Sequence, residues 1–212
     1  MSSTSDDRVR LPRSERRAQL LQAAQSMFVA NGYHATAMDD IADKAGVSKP
    51  VLYQHFKSKL DLYLALLEQH AQGLVDNVRT AMAASDDNKD RVNLAMKAYF
   101  DFVDAQGEAY RLLFESDQRN DPAVAKVMGD AERDCVEALA ETIMGDTGVD
   151  KARAELLATG LTGTAEVAAR KWMATGRPIP KEEAVGLLSV LAWRGISYFP
   201  MEEGQALPFV EQ

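Results

Sequence analysis

The 28 residues Gly32 to Lys59, GYHATAMDDIADKAGVSKPVLYQHFKSK, restrict what this chain can become more than any other part of it. Thr36 can cap a short helix with Asp39 at its third position, and Ile41 and Ala42 give that helix an apolar side while Asp40 and Asp43 stay wet. Gly46 follows, where a tight reversal needs positive φ, and Val47 pins the turn into a small core. Ser48 then caps a second helix with Lys49 and Pro50 in its first turn, where the amide that proline lacks is not needed. Val51, Leu52 and Phe56 form its inner side. Lys49, Tyr53, Gln54 and His55 are left to face outward. Ser58 and Asp61 form a capping box that opens a third helix, flanked by Lys57 and Lys59. Two short helices around a glycine turn, the second exposing donors and positive charge, read as a helix-turn-helix.

Such a helix suits a major groove. Ser48, Lys49 and free amides at its start point toward phosphates and base edges, while the Tyr53 hydroxyl and the His55 imidazole can reach phosphate oxygens. Taken over the whole chain, the formal charge of −8 argues against a polyanionic partner. Residues 1–60, however, hold nine Lys and Arg against six Asp and Glu, whereas residues 61–212 hold fifteen against twenty-six. Positive charge therefore sits with the reader, and the acidic remainder is kept off the phosphate backbone.

The run IADKAGVSKPVLYQHFKSK resembles the DNA-binding region of TetR-family transcriptional regulators, in its glycine turn, its Ser-Lys start and its closing Tyr-x-His-Phe. The resemblance implies an all-α protein of about nine helices. A tail at 1–12, expected to be disordered, precedes a DNA-binding domain at 13–60 and a ligand-binding and dimerisation domain at 61–212. It implies a homodimer on a palindromic double-stranded operator, contacted by Thr36, Ser48, Lys49, Tyr53, Gln54, His55, Lys57 and Lys59. Ala37 departs from the pattern, since many relatives carry a second Thr there. RLPRSERRAQLL, FDFVDAQGEAYRLLFESD and AWRGISYFP, outside the generic motif, further resemble actinobacterial regulators of fatty-acid synthesis that respond to long-chain acyl-CoA. A repressor of an efflux or catabolic gene, responding to a lipophilic or cationic molecule, is the alternative within the family.

Outside the reader, Pro12 and Ser14 open a first helix that Asn31-Gly32 closes, and Arg13, Arg16 and Arg17 near its start are either phosphate contacts or a solvated charge run. A long helix is predicted over 59–83, then helices over 89–105 and 108–116 parted near Gly107, and another over 121–144. The last two, over 149–174 and 180–198, suit a four-helix interface across a two-fold axis or packing within one chain. Ala154, Ala158, Leu161, Ala165, Ala168 and Trp172 mark one side of the first, and Ala184, Leu187, Leu188 and Leu191 line the second. An apolar effector is expected against Tyr99, Phe100, Val103, Leu113, Phe114, Val127, Met128 and Leu139, unless these are ordinary core. Lys126, Arg133, Arg170 and Lys171 are candidates to meet an anionic head group.

Enzyme chemistry finds little support. His34, His55 and His70 have no carboxylate or second histidine at a metal-binding spacing, and neither a phosphate loop nor a nucleophile elbow is present. No cofactor or metal is expected. A helical enzyme and a protein-interaction module are the weaker alternatives. The single Cys135 allows no internal disulfide and reads as structural before it reads as a redox sensor. No membrane-length apolar run or secretory segment occurs, so no membrane partner and a cytoplasmic location are expected.

Overall fold

A computed structural model of the chain describes residues 11–114 and 120–196, with only the backbone at 106–114 and 196. The disordered tail expected at 1–12 falls largely outside the described residues. Eight helices and no strand occur among those described: α1 (Arg13–Ala35), α2 (Met38–Lys44), α3 (Lys49–His55), α4 (Lys59–Ala83), α5 (Asn88–Phe114), α6 (Pro122–Thr147), α7 (Lys151–Ala174) and α8 (Lys181–Ile196). They form two compact units, Met1–Leu66 and Leu67–Gln212.

In the first unit, Leu20, Leu21, Ala24 and Phe28 recur at helical spacing along α1 and are buried. Gly32, at φ 80°, interrupts the helical geometry of α1 at the expected stop. The reversal after α2 is made at Gly46, φ 65°, where Val47 N–H donates to the Ala42 carbonyl at 3.0 Å and Gly46 N–H to that of Asp43 at 3.0 Å. Pro50 sits in the first turn of α3 and Leu52 is its buried residue. Ser58 caps α4 as expected, Asp61 N–H donating to Ser58 Oγ at 3.0 Å, while the reciprocal bond is shifted by one residue: Asp61 Oδ2 accepts from Lys57 N–H at 2.8 Å. The cap of α2 differs from expectation. Ala37, not Thr36, is its N-cap, and Asp40 rather than Asp39 reaches back to accept the Ala37 N–H at 3.1 Å. Thr36 is instead turned inward, where its hydroxyl donates to the Gly32 carbonyl at 2.8 Å.

In the second unit, α7 packs on α6 and α5, and α8 on α5 and α7. The break expected near Gly107 is absent: α5 is one helix from Asn88 to Phe114, because an isolated glycine lowers helix stability by about 1 kcal/mol without enforcing a turn. Asp121 caps α6 by accepting from Ala123 N–H at 2.8 Å, and Gly148, at φ 70°, ends it. Ala154, Ala158, Ala165, Ala169 and Trp172 of α7 are buried within the chain, so its small-residue side serves intramolecular packing. Lys181 bonds Asp101 at 2.8 Å and Asp104 at 3.2 Å, tying the start of α8 to α5.

Candidate DNA interface and ligand cavities

The outward side of α3 carries the residues that its apolar spacing leaves over. Ser48, Lys49, Tyr53, Gln54 and Lys57 are all exposed, and His55 is half-buried. Lys49 Nζ is held by Asp39 at 2.8 Å, an exposed pair that raises the ammonium's proton affinity and that a competing phosphate can open. Burial, followed by the charges of Arg13, Arg17 and Arg16, holds the His55 imidazole below its ordinary value. The arginines at the start of α1 therefore lie close enough to the end of α3 for their charges to act on His55. Arg17 also stacks over the Phe56 ring, 4.5 Å from its centroid.

Two of the expected contact residues have internal roles. Thr36 is only 2% exposed. Lys59 Nζ donates to the carbonyls of Tyr33 at 2.8 Å, Thr36 at 2.9 Å and His34 at 3.2 Å, and lies 4.6 Å from the Tyr33 ring centroid. An ammonium placed on the last carbonyls of α1 satisfies groups a helix end leaves open and offsets its negative pole. The interior behind these groups is aromatic: the Phe28 and Tyr63 rings meet edge to face at 5.6 Å and those of Tyr33 and Tyr63 at 4.9 Å.

Two cavities open among the described residues of the second unit. The larger, about 330 Å³, lies among α4 to α8 and is walled by Met82, Val92, Met96, Tyr99, Leu139, Ile143, Leu157, Leu161 and Trp193, with Arg91 and Asp146 among its polar members. Arg91 donates to Asp146 at 2.7 Å and to the Ser85 carbonyl at 2.6 Å, so its charge is already matched. The smaller, about 300 Å³, is walled by Ala71 and Leu74 of α4 with Phe102, Val103, Val124, Met128, Glu132, Cys135 and Glu166. Tyr99 and Thr162 belong to both walls.

Of the residues expected at an effector, Tyr99 faces both cavities, Leu139 the larger, and Val103 and Met128 the smaller. Phe100 is buried against Trp172, ring centroids 5.4 Å apart, and neither it nor Val127 lines these two cavities. The side chains of Leu113 and Phe114 lie outside the described residues. Lys126, Arg133, Arg170 and Lys171 are absent from both walls; Lys126 and Arg133 pair with Asp130, and Arg170 approaches Glu166 at 3.7 Å. Met82, Thr162 and Trp193 were not anticipated. Each lies on a different helix, or on a helix read for its packing, and only the tertiary arrangement brings them together. Cys135 is buried, and burial pushes its thiol up, so it stays protonated and unreactive.

Among the described residues no cluster of His, Cys, Asp or Glu could hold a metal ion, and no helix is long and apolar enough to cross a membrane.

Residues 20–66 match the family described as bacterial regulatory proteins, tetR family, and residues 88–195 match the tetracyclin repressor-like C-terminal domain. The chain is 47% identical over 192 residues to the HTH-type transcriptional activator FasR of Mycolicibacterium smegmatis, covering 91% of this chain and 88% of that protein. The crystal structure of a TetR-like transcriptional regulator from Rhodococcus sp. RHA1 superposes with a TM-score of 0.69 at 31% identity, over 89% of this chain and 99% of that one. The fold is also similar to that of the regulator FadR from Bacillus subtilis in complex with stearoyl-CoA, with a TM-score of 0.67 at 18% identity over 82% and 96% of the two chains. With an N-terminal helix-turn-helix followed by a helical domain of matching type, this chain belongs to the TetR family of transcriptional regulators.

Proposed function

We propose that the protein is a homodimeric, ligand-responsive regulator that controls fatty-acid or lipid synthesis genes in response to long-chain acyl-CoA. The observation that carries the ligand reading is the larger cavity. Its aliphatic, methionine and aromatic walls suit an alkyl chain, each buried methylene contributing about 0.8 kcal/mol on leaving water. The likeness of FDFVDAQGEAYRLLFESD and AWRGISYFP, outside the helix-turn-helix, to regulators of fatty-acid synthesis supports acyl-CoA over other lipophiles, and 47% identity to the transcriptional activator FasR supports the regulatory role.

The dimer reading rests on the outer faces of α7 and α8. Leu156 is 75% exposed, Leu187 59% and Leu191 65%, with Val167 and Val190 also exposed on these two helices. A two-fold axis there would cover them in a four-helix packing. On DNA, Lys49, Tyr53, Gln54 and Lys57 approach the groove and backbone directly. Arg13, Arg16, Arg17 and His55 add phosphate contacts, while Thr36 and Lys59 hold the unit in shape. Helix α4 couples the functions: Lys59 at its start binds the end of α1, and Ala71, Leu74 and Met82 further along it wall the cavities. Occupancy that shifts α4 changes the spacing of two readers and so the affinity for both half-sites together.

Selection from random duplexes followed by footprinting tests the DNA part. The expected site is a palindrome with half-sites about 34 Å apart, and a monomer protecting one unsymmetrical half-site refutes the dimer. Acyl-CoAs of increasing length titrated against that complex test the effector. A shift of DNA affinity that grows with chain length is expected. No shift with acyl-CoA, and a shift with an aromatic cation, identifies a regulator of the efflux type instead.

A further inference from the structure

Threonines inside helices ordinarily satisfy their hydroxyls by bonding the carbonyl four residues back. Thr142, Thr147, Thr159, Thr164 and Thr175 all do so here, the last three at 2.8 Å. Thr162, in the middle of α7, does not. It is 2% exposed, forms part of both cavity walls, and its Oγ1 has no hydrogen-bond partner. The Tyr99 hydroxyl lies beside it and also meets the Cys135 thiol, but the contact between Tyr99 and Thr162 lacks the geometry of a hydrogen bond. A buried hydroxyl left unpaired carries a desolvation penalty, and a partner that enters with a ligand removes it.

The chemistry of this spot selects the partner. Tyr99, Thr162 and Cys135 are neutral and can each donate, and burial, which raises both the phenol and the thiol, keeps them protonated. Among the described residues Arg91 is the one cation in the two cavity walls; the charge of Arg79 reaches Cys135 from outside them and is opposed by those of Asp134 and Glu166. Arg91 of the larger cavity is engaged by Asp146, and the smaller cavity contributes Glu132 and Glu166. A carboxylate would meet repulsion from Glu132 and Glu166 and find no unengaged cation in either wall, whereas an uncharged carbonyl oxygen would accept from Thr162 and Tyr99.

We infer that Thr162 and Tyr99 form a polar subsite between the two cavities that receives the neutral carbonyl oxygen of an otherwise apolar ligand: a thioester, ester or ketone. The inference rests on the reading that these cavities hold the effector, and it places an acyl thioester at the partition, with the alkyl chain in the larger cavity and the uncharged part of the carrier arm in the smaller. It distinguishes acyl esters from free fatty acids, whose charged carboxylate the subsite disfavours.

Two matched ligand pairs test this by calorimetry on the full-length protein and on Thr162→Val. Palmitoyl-CoA is compared with its thioether analogue, hexadecyl-CoA, which lacks the carbonyl; methyl decyl ketone is compared with dodecane. The carbonyl member of each pair is expected to bind the wild type about tenfold more tightly, an advantage Thr162→Val reduces to within about twofold. Thr162→Val exchanges an unpaired hydroxyl for a methyl of the same shape, so its melting temperature should not fall. If neither CoA compound binds while the ketone keeps its advantage in the wild type alone, the acyl-CoA reading fails and the subsite stands. Equal binding of ketone and alkane to the wild type, binding of neither, or an advantage that survives Thr162→Val overturns the subsite.

Discussion

The two units solve their interiors in opposite ways. Behind the DNA-facing helix, Phe28, Tyr33 and Tyr63 interlock as rings and Lys59 closes the last carbonyls of α1. The second unit keeps two cavities and a buried hydroxyl without a partner. A surface that must match a fixed double helix gains from rigidity. A unit that must admit a ligand retains space and an unsatisfied polar group, at some cost in its own stability.

The largest test of this contrast is Phe28→Ala. Deleting a fully buried ring should cost the first unit about 3–5 kcal/mol and abolish DNA binding while effector binding to the second unit persists. Hydrogen exchange with ligand calorimetry measures both, and parallel loss in both units would show that the contrast is drawn in the wrong place. Next comes Lys59→Ala, which removes three carbonyl contacts from a half-exposed ammonium and should destabilise the first unit by about 1–2 kcal/mol. The salt dependence of DNA binding should keep its slope. A slope that falls by about one, with melting unchanged, would make Lys59 a phosphate contact instead.

A smaller effect, of opposite sign, is expected in the second unit. Thr162→Val should stabilise the ligand-free protein by about 1 kcal/mol, raising its melting temperature by about 2–4 °C. A fall in melting temperature would mean that the hydroxyl is satisfied after all.

The smallest effect concerns pH. Burial together with Arg13, Arg17 and Arg16 keeps His55 neutral below its ordinary value of 6.5 in the free protein. A neighbouring phosphate favours the charged imidazole, so DNA binding takes up a proton and affinity should rise as pH falls below that value, by less than about tenfold per unit. Fluorescence anisotropy across pH should show the rise in the wild type and not in His55→Gln. An identical rise in both proteins would place the titrating group elsewhere.

The same contrast explains how far each unit could be read from its residues. Gly46, Ser48, Pro50 and the Ser58–Asp61 pair act within a few positions of themselves, so the turn, the exposed side of α3 and the start of α4 were legible. The inward turn of Thr36 was not, because it depends on carbonyls that Gly32 presents only after α1 has kinked. Lys59 likewise acts on residues some 25 positions away. In the second unit the helices were legible from periodicity, apart from the continuity of α5 past Gly107. The cavities were legible only in part: Tyr99, Leu139, Val103 and Met128 were expected and line them, whereas Met82, Thr162 and Trp193 come from three further helices and share no local signal with these. The alanines of α7 fit either a subunit interface or an internal one, and burial against α5 and α6 decided between them.

The central claim is that occupancy of the larger cavity alters the DNA affinity of the first unit. It is tested most directly by measuring how palmitoyl-CoA changes DNA affinity in the wild type and in Leu161→Trp, whose indole fills that cavity. The wild type should respond with at least about a fivefold change, within the usual range of allosteric coupling, and Leu161→Trp should respond little or not at all. A wild type that does not respond, or a filled cavity that leaves the response intact, would contradict it.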